Sequence, residues 1–117
     1  MSKNPKDFLL HIQDKTKYLM EVSKNLTKEA FLEDETLKRA FSRSLEIIGE
    51  AVKQLPGSFC DQYPEIKWRK IAGMRDKLIH HYFGIDYDIV WDVITVEIPY
   101  LDTKIKEILK DDQAFNC

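Results

Sequence analysis

Glycine and proline are scarce in this chain, which has four of each among its 117 residues. So few turn formers argue against a β-sandwich and against a disordered chain. No apolar run reaches the ~20 residues of a membrane-spanning helix, and the first seven residues lack the apolar core of a secretion signal. The two cysteines, Cys60 and Cys117, are too few for a disulfide framework and fit no zinc-binding spacing. We therefore expect a cytoplasmic protein with free thiols and no contact with membranes.

An excess of charge of one sign is also missing, because 18 basic and 20 acidic residues leave a net charge of −2. The overall charge therefore does not indicate nucleic-acid binding, and such a role would depend on a local cluster. The length fits a single domain, residues 1–117, and a hydrophobic content of 44% is enough for a core.

Hydrophobic residues recur every three or four positions along most of the chain, which predicts helices. The clearest apolar stripe starts after Asp34 or Thr36 and ends before Pro56. A weaker stripe in the first segment is broken where Lys15 and Thr16 occupy positions that should face inward. The clearest stripe consists of Leu37, Ala40, Phe41, Ser44, Leu45, Ile48, Ala51, Val52 and Leu55.

A third long helix is predicted from about Trp68 to about Tyr82. Thr27 and Asp86 are candidate N-caps of two further helices, and Pro99 should kink or restart the chain. The connections are short and no alternating strand pattern is present. The predicted fold class is all-α, an antiparallel bundle of about four to five helices with a frayed tail at 111–117.

The polar side of the second long helix carries Arg39, Arg43, Glu46 and Glu50, which share one face at helical spacing. From spacing alone, a solvated and salt-bridged surface is the better interpretation. The alternative is a buried or interfacial polar seam. Gly49 favours the alternative slightly, because a glycine inside a helix costs ~1 kcal/mol relative to alanine and often marks a close approach of another helix.

A second polar cluster, residues 74–84, ends the predicted third helix. On a continuous helix Arg75 and Tyr82 point the same way, and Asp76 and His80 share a face. Arg75 and His80 lie ~140° apart, so they converge only if the helix loosens near His80 or a second chain completes the site. Spacing alone favours a plainer interpretation, a helix C-terminus whose cations interact favourably with the helix dipole.

The pattern Arg75-x4-His80-x-Tyr82 resembles the signature of the HEPN superfamily, and in particular that of HepT-like ribonuclease toxins. The resemblance covers most of the chain, because three other segments resemble the family in the same order. It departs from the family at Asp76, where asparagine is frequent, and has an extra histidine, His81, at the variable position. The supporting segments are 43–51, 63–75 and 82–91.

The resemblance implies a metal-independent endoribonuclease that acts as the toxin of a toxin–antitoxin pair, with no cofactor and no metal. The 2′-OH of the RNA would be the nucleophile, and His80 would serve as base or acid. Arg75 would bind the scissile phosphate and stabilise the transition state. Asp76 would orient His80 or position RNA, and Tyr82 would donate a hydrogen bond to a phosphate or a base.

The resemblance also implies a two-fold homodimer, because one protomer supplies one motif histidine and two facing motifs could supply both acid and base. Four large apolar residues of the third predicted helix add to this expectation, because so small a bundle should not satisfy them all while the motif stays open to RNA. They are Trp68, Ile71, Leu78 and Tyr82. The implied partner is a MntA-like nucleotidyltransferase antitoxin that transfers AMP from ATP to Tyr82, in a complex that could be larger than a dimer. The RNA target stays open.

Two alternatives belong to other functional classes. The chain could be a non-catalytic HEPN partner or nucleotide-binding module of a nucleotidyltransferase complex, against which the intact pair of Arg75 and His80 argues. A metal site built from His11, His80 and His81 is weaker still. Adjacent histidines face apart on a helix, and no carboxylate-rich set accompanies them.

Overall fold

The computed structural model describes residues 4–80 and 84–111, except for the side chains of Ile79 and His80. Within these residues the regular elements are helices apart from one short pair of strands, so the all-α fold class is confirmed. No helix among them is long and apolar enough to cross a membrane. Predictions about His81, Tyr82, Cys117 and most of the tail fall outside the described residues.

The elements follow one another with short connections. The helices are α1 (Pro5–Ser23), α2 (Lys28–Glu33), α3 (Glu35–Lys53), α4 (Gly57–Cys60), α5 (Trp68–Ala72), α6 (Met74–Leu78), α7 (Tyr87–Asp92) and α8 (Ile98–Lys110), with a π-helical turn (Val93–Glu97) between the last two. The strands are β1 (Ile79–His80) and β2 (Gly84–Ile85).

Three of these helices begin with a side-chain cap at a residue that the sequence indicates as a candidate start. Thr27 accepts a hydrogen bond from the backbone N–H of Ala30 at 3.1 Å, and Asp34 accepts one from Leu37 at 3.0 Å. Asp86 caps α7 in the same way. Each cap satisfies a backbone donor that the first helical turn leaves without a partner.

The core lies between α1, α3 and the segment from α7 to α8. Phe31 and Phe41 stack with ring centroids 5.1 Å apart, and Trp91 packs on Phe31 at 5.3 Å. The stripe predicted for α3 is buried over most of its length, which confirms it. Its buried members are Phe41, Ser44, Leu45, Ile48, Ala51, Val52 and Leu55.

In α1, a buried polar contact lies at the position where the sequence predicts a break in the apolar stripe. Thr16 is fully buried, and its hydroxyl donates a hydrogen bond to Oδ1 of Asp102 at 2.7 Å. Asp102 is only 2% exposed, and its Oδ2 lies 2.9 Å from Nζ of Lys106. Thr16 therefore does face inward, because α8 supplies a polar partner at this level of the core.

The continuous helix predicted from Trp68 to Tyr82 is wrong. The segment divides at Gly73 into α5 and α6, and α6 ends at Leu78. The carbonyl of Leu78 accepts a hydrogen bond at 2.8 Å from the N–H of Asp86. Asp86 is the residue that caps the next helix, α7. A return of the chain, rather than another helical turn, satisfies this carbonyl.

The return is made by the two short strands, which are antiparallel. Ile79 lies opposite Ile85, and His80 lies opposite Gly84. Gly84 has a φ of +76°, a backbone conformation that residues other than glycine rarely adopt. This glycine lets the chain turn back beside His80.

Two residues expected to need a second protomer are satisfied inside one chain. Leu78 is only 2% exposed. The indole N–H of Trp68 donates to the carbonyls of Tyr63 at 3.1 Å and Cys60 at 3.2 Å. The dimer expectation therefore receives no support from these side chains.

The expectation for Pro99 is confirmed. It lies in the first turn of α8, where no backbone N–H is required, and the π-helical turn precedes it. The chain thus restarts as a regular helix at this point.

Candidate active site

Helix α6 presents the motif arginine at the surface because its other face is anchored in the core. Met74 and Leu78, four residues apart, are 4% and 2% exposed. Arg75, Asp76 and Lys77 lie between them in sequence and are exposed. The side chain of Arg75 is 58% exposed, so its guanidinium is accessible to a ligand.

The polar face of α3 meets α6 at Glu46. Oε2 of Glu46 lies 4.0 Å from Nε of Arg75 and accepts a hydrogen bond from Nη1 of Arg43 at 3.3 Å. The same nitrogen of Arg43 lies 3.7 Å from Oε1 of Glu50. These four residues form one chain of alternating charge, which we call the α3–α6 seam.

The seam decides between the two interpretations of the polar face of α3. Glu46 is only 23% exposed and lies at a contact between helices, whereas Arg43 is 61% exposed. The interfacial alternative is therefore correct at Glu46. Arg39 takes no part, since it is 75% exposed and lies 3.9 Å from Glu35 on its own helix.

Gly49 explains how α3 comes so close to the segment that carries the motif. A Cβ at Gly49 would lie 3.2 Å from the carbonyl oxygen of Ile71 and 3.3 Å from that of Ala72. These distances are tighter than ordinary carbon–oxygen contacts, and the atoms belong to the backbone of α5. The close approach predicted from this glycine is confirmed.

The backbone of His80 lies in β1, immediately beyond the end of α6, and its side chain is outside the described structure. The angle of ~140° between Arg75 and His80 on an ideal helix therefore does not apply. The helix ends before His80, which meets one of the two conditions under which the pair could converge. The structure thus brings the backbone of the motif histidine to the end of the helix that carries Arg75.

One relationship predicted from helical phase is wrong, the shared helix face of Asp76 and His80. Because α6 ends at Leu78 and His80 lies in β1, the two residues are not on one helix. The prediction that Tyr82 points the same way as Arg75 is not tested by the described residues. Asp76 is exposed on α6, and Tyr82 lies outside the described residues.

Among site residues, sequence reasoning missed the role of Glu46 as the neighbour of the motif arginine. The spacing on α3 placed Glu46 on a polar face, but it gave no sign of which helix that face meets. Arg75 makes its contact to Glu46 through Nε, and the guanidinium has two further nitrogens. An arginine held this way can bind a phosphate with two parallel hydrogen bonds.

Other chemically active groups lie away from this site. Cys60 is a free thiol, and burial raises its pKa, so less of it is thiolate at neutral pH. His11 is exposed on α1. No three His, Cys, Asp or Glu side chains in the described part of the chain are grouped so that they could hold a metal ion.

Comparisons with known proteins connect this site to a family. The family described as ribonuclease HepT-like matches residues 12–108, which include the seam, Arg75 and His80. No solved structure matches the chain significantly.

Three curated relatives match nearly the whole chain. A protein of Caldanaerobacter subterraneus subsp. tengcongensis named "Putative RNase" is 50% identical over 95% of this chain and 99% of its own length. One with the same description from Methanocaldococcus jannaschii is 44% identical over 93% of this chain and 90% of its own. The "Probable ribonuclease HepT" of Thermococcus cleftensis is 41% identical over 94% of this chain and 100% of its own.

The family matches most of the chain, and these relatives match it over nearly their full lengths. The chain belongs to the HepT-like ribonuclease family, within the HEPN superfamily.

Proposed function

We propose that the chain is a metal-independent endoribonuclease that cleaves RNA with Arg75 and His80 and acts as the toxin of a toxin–antitoxin pair. The observation that carries the proposal is the end of α6 at Leu78, between the two motif residues. The backbone of His80 follows the helix that carries the exposed guanidinium of Arg75, which supports a joint role for the two residues. The family match supplies the RNA substrate.

The chemistry needs three groups, none of which has to be a metal. A base removes the proton of the 2′-OH, an acid protonates the leaving 5′-oxygen, and a cation stabilises the charge on the phosphorane-like transition state. Imidazole serves as base or acid because it ordinarily titrates near neutral pH. Arg75 supplies the cation, and its Nε lies 4.0 Å from Oε2 of Glu46.

A homodimer completes the site in this proposal. Each protomer contributes one motif histidine, whereas the reaction needs an acid and a base. Two copies of the helix end facing each other across a two-fold axis would supply both from identical residues. The exposure of Arg75 on the outward face of α6 leaves this helix end accessible to a second copy.

The antitoxin in this proposal is a nucleotidyltransferase that modifies Tyr82. The phenolic oxygen attacks the α-phosphate of ATP, an O–P bond forms, pyrophosphate leaves, and the phenolic proton passes to a base. The attached AMP carries an anionic phosphodiester, which would pair with Arg75 and block the place of the RNA phosphate. Inhibition would then not require the toxin to unfold.

Variants of the motif test the nuclease activity directly. Arg75→Ala and His80→Ala should each abolish cleavage of RNA by purified protein and toxicity in cells, while circular dichroism stays helical. His81→Ala is the matched control, since His81 occupies the variable position of the motif, and it should cleave at nearly the wild-type rate. Equal losses in all three variants would contradict the assignment of His80.

Intact-mass measurement tests the antitoxin. The chain co-expressed with a MntA-like nucleotidyltransferase should gain the mass of whole AMP units, and Tyr82→Phe should gain none. The antitoxin should therefore fail to protect cells from Tyr82→Phe. If it neutralised that variant as fully as wild type, inhibition would come from complex formation without modification.

A further inference from the structure

A groove with a volume of about 340 Å³ lies on the other side of α6 from Arg75. It runs between the α5–α6 segment and the segment formed by the π-helical turn and α8. Met74 and Lys77 of α6 line it, whereas Arg75 does not. On a helix, Arg75 and Lys77 point in nearly opposite directions, so the short helix α6 separates the groove from the motif arginine.

The groove has an apolar floor and an aromatic wall. Ile66, Met74 and Leu101 line it and are 6%, 4% and 5% exposed. Tyr100 is 43% exposed and Val96 is 70% exposed, so apolar surface remains uncovered at its edge. A flat aromatic molecule would remove this surface from water.

The aromatic wall is held in place from two sides. The hydroxyl of Tyr100 donates a hydrogen bond to the backbone carbonyl of Glu65 at 3.3 Å. Nζ of Lys104 lies 5.5 Å from the centre of the Tyr100 ring. These contacts hold the ring in place while the residue stays 43% exposed, so part of the ring is available for stacking.

Lysines dominate the rim of the groove. Lys70 forms an ion pair with Glu97, and Lys104 lies 3.6 Å from Glu107. Lys67 and Lys77 have no ion-pair partner in the described part of the chain. Four lysines line the groove together with two acidic residues, Glu65 and Glu97, so it carries a local positive excess in a chain whose net charge is −2.

This combination favours a nucleotide over a protein as the occupant. Lysine is depleted in protein interfaces, and a second copy packed groove to groove about a two-fold axis would bring the same lysines against these. A strand of RNA offers the complementary features, a base with a flat apolar face and a phosphate. Resting on the proposed RNase function, we propose that the groove binds a nucleotide of the RNA substrate beyond the scissile phosphate, with its base on Tyr100 and its phosphate at Lys67 and Lys77.

The proposal predicts that the groove matters more for a long RNA than for a short one. Tyr100→Ala and Lys77→Gln should each raise the KM for a single-stranded RNA of about a dozen nucleotides roughly tenfold, and should affect a dinucleotide much less. Tyr100→Phe keeps the stacking surface and should retain most of the wild-type affinity. Lys110→Gln, an exposed lysine of α8 outside the groove, controls for the loss of one positive charge.

A binding measurement separates this inference from the nuclease proposal. In the His80→Ala background, fluorescence anisotropy with the same labelled RNA should show weaker binding when Tyr100→Ala or Lys77→Gln is added. If RNA binding falls in this way although the wild-type protein cleaves neither RNA, the groove inference stands and the nuclease proposal fails. If the wild-type protein cleaves RNA and the groove variants change neither KM nor binding, the groove inference is wrong.

Two other outcomes would also overturn the inference by assigning a different occupant. If Tyr100→Ala or Lys77→Gln changed the oligomeric mass of the protein measured by light scattering but left RNA binding unchanged, the groove would be a contact between copies of the chain. If the same variants escaped inhibition by the antitoxin and kept normal RNA binding, the groove would be a protein-docking surface.

Discussion

Glu46 joins α3 to the motif arginine, and its effect should be small but specific. A partly exposed ion pair is worth only about 0.2–1 kcal/mol, so Glu46→Gln should lower kcat for RNA cleavage by about fivefold at most. Glu50→Gln is the matched control, because Glu50 contacts Arg43 and not Arg75. Steady-state kinetics with both variants measures the difference, and equal losses would indicate a general effect of charge instead.

Thr16 shows why a single residue can be misjudged from sequence. Its hydroxyl makes it look like an interruption of the apolar stripe, but its partner, Asp102, lies 86 residues further along the chain. Two polar residues that hydrogen-bond to each other can occupy a core at a modest net energetic cost. Local spacing contains no information about such a distant partner.

The packing of α5 on α3 depends on the absence of a side chain at Gly49. Gly49→Ala should lower the free energy of unfolding by about 1 kcal/mol or more, although alanine favours a helix, because the two carbonyl oxygens it meets belong to the backbone and cannot rotate away. Gly57→Ala is the matched control, since no atom lies within 4 Å of a Cβ there.

Urea denaturation of the two glycine variants measures this effect. The midpoint should fall for Gly49→Ala and should stay the same or rise for Gly57→Ala. A midpoint for Gly49→Ala at or above the wild-type value would mean that α5 can move outward without cost, and that the close approach does not hold the motif segment.

The helices that could be predicted from sequence are those with local signals. The stripe of α3 and the caps at Thr27 and Asp86 need only neighbouring residues, and all were confirmed. Of the two predicted starts of α3, Asp34 is the one that caps it. The end of α6 at Leu78 could not be predicted in this way. Residues up to 82 keep helical spacing, and what ends the helix is pairing with Gly84 and Ile85 further along the chain.

For the molecule as a whole, the sequence predicted the all-α fold and the two places where chemistry is concentrated. It did not predict that these two places touch, since the contact between Glu46 and Arg75 joins two helices. It also did not predict the groove beside Tyr100, which forms only when α5, α6 and α8 pack together. Contacts of this kind depend on the tertiary structure.

Of the two arguments for a dimer that the sequence offers, the one from core residues receives no support from the structure. Trp68 and Leu78 are satisfied within one protomer, so these two residues do not require a partner. The remaining argument is chemical, because cleavage needs an acid and a base while one chain supplies one motif histidine.

The central claim is that Arg75 and His80 cleave RNA without a metal ion, and the ends of the RNA products test it most directly. Wild-type protein should cleave single-stranded RNA in excess EDTA and leave 2′,3′-cyclic phosphate ends, since the 2′-OH is the nucleophile. His80→Ala should produce none of these ends. Loss of cleavage in EDTA that added Mg²⁺ restores, or products with 3′-OH ends, would contradict the claim.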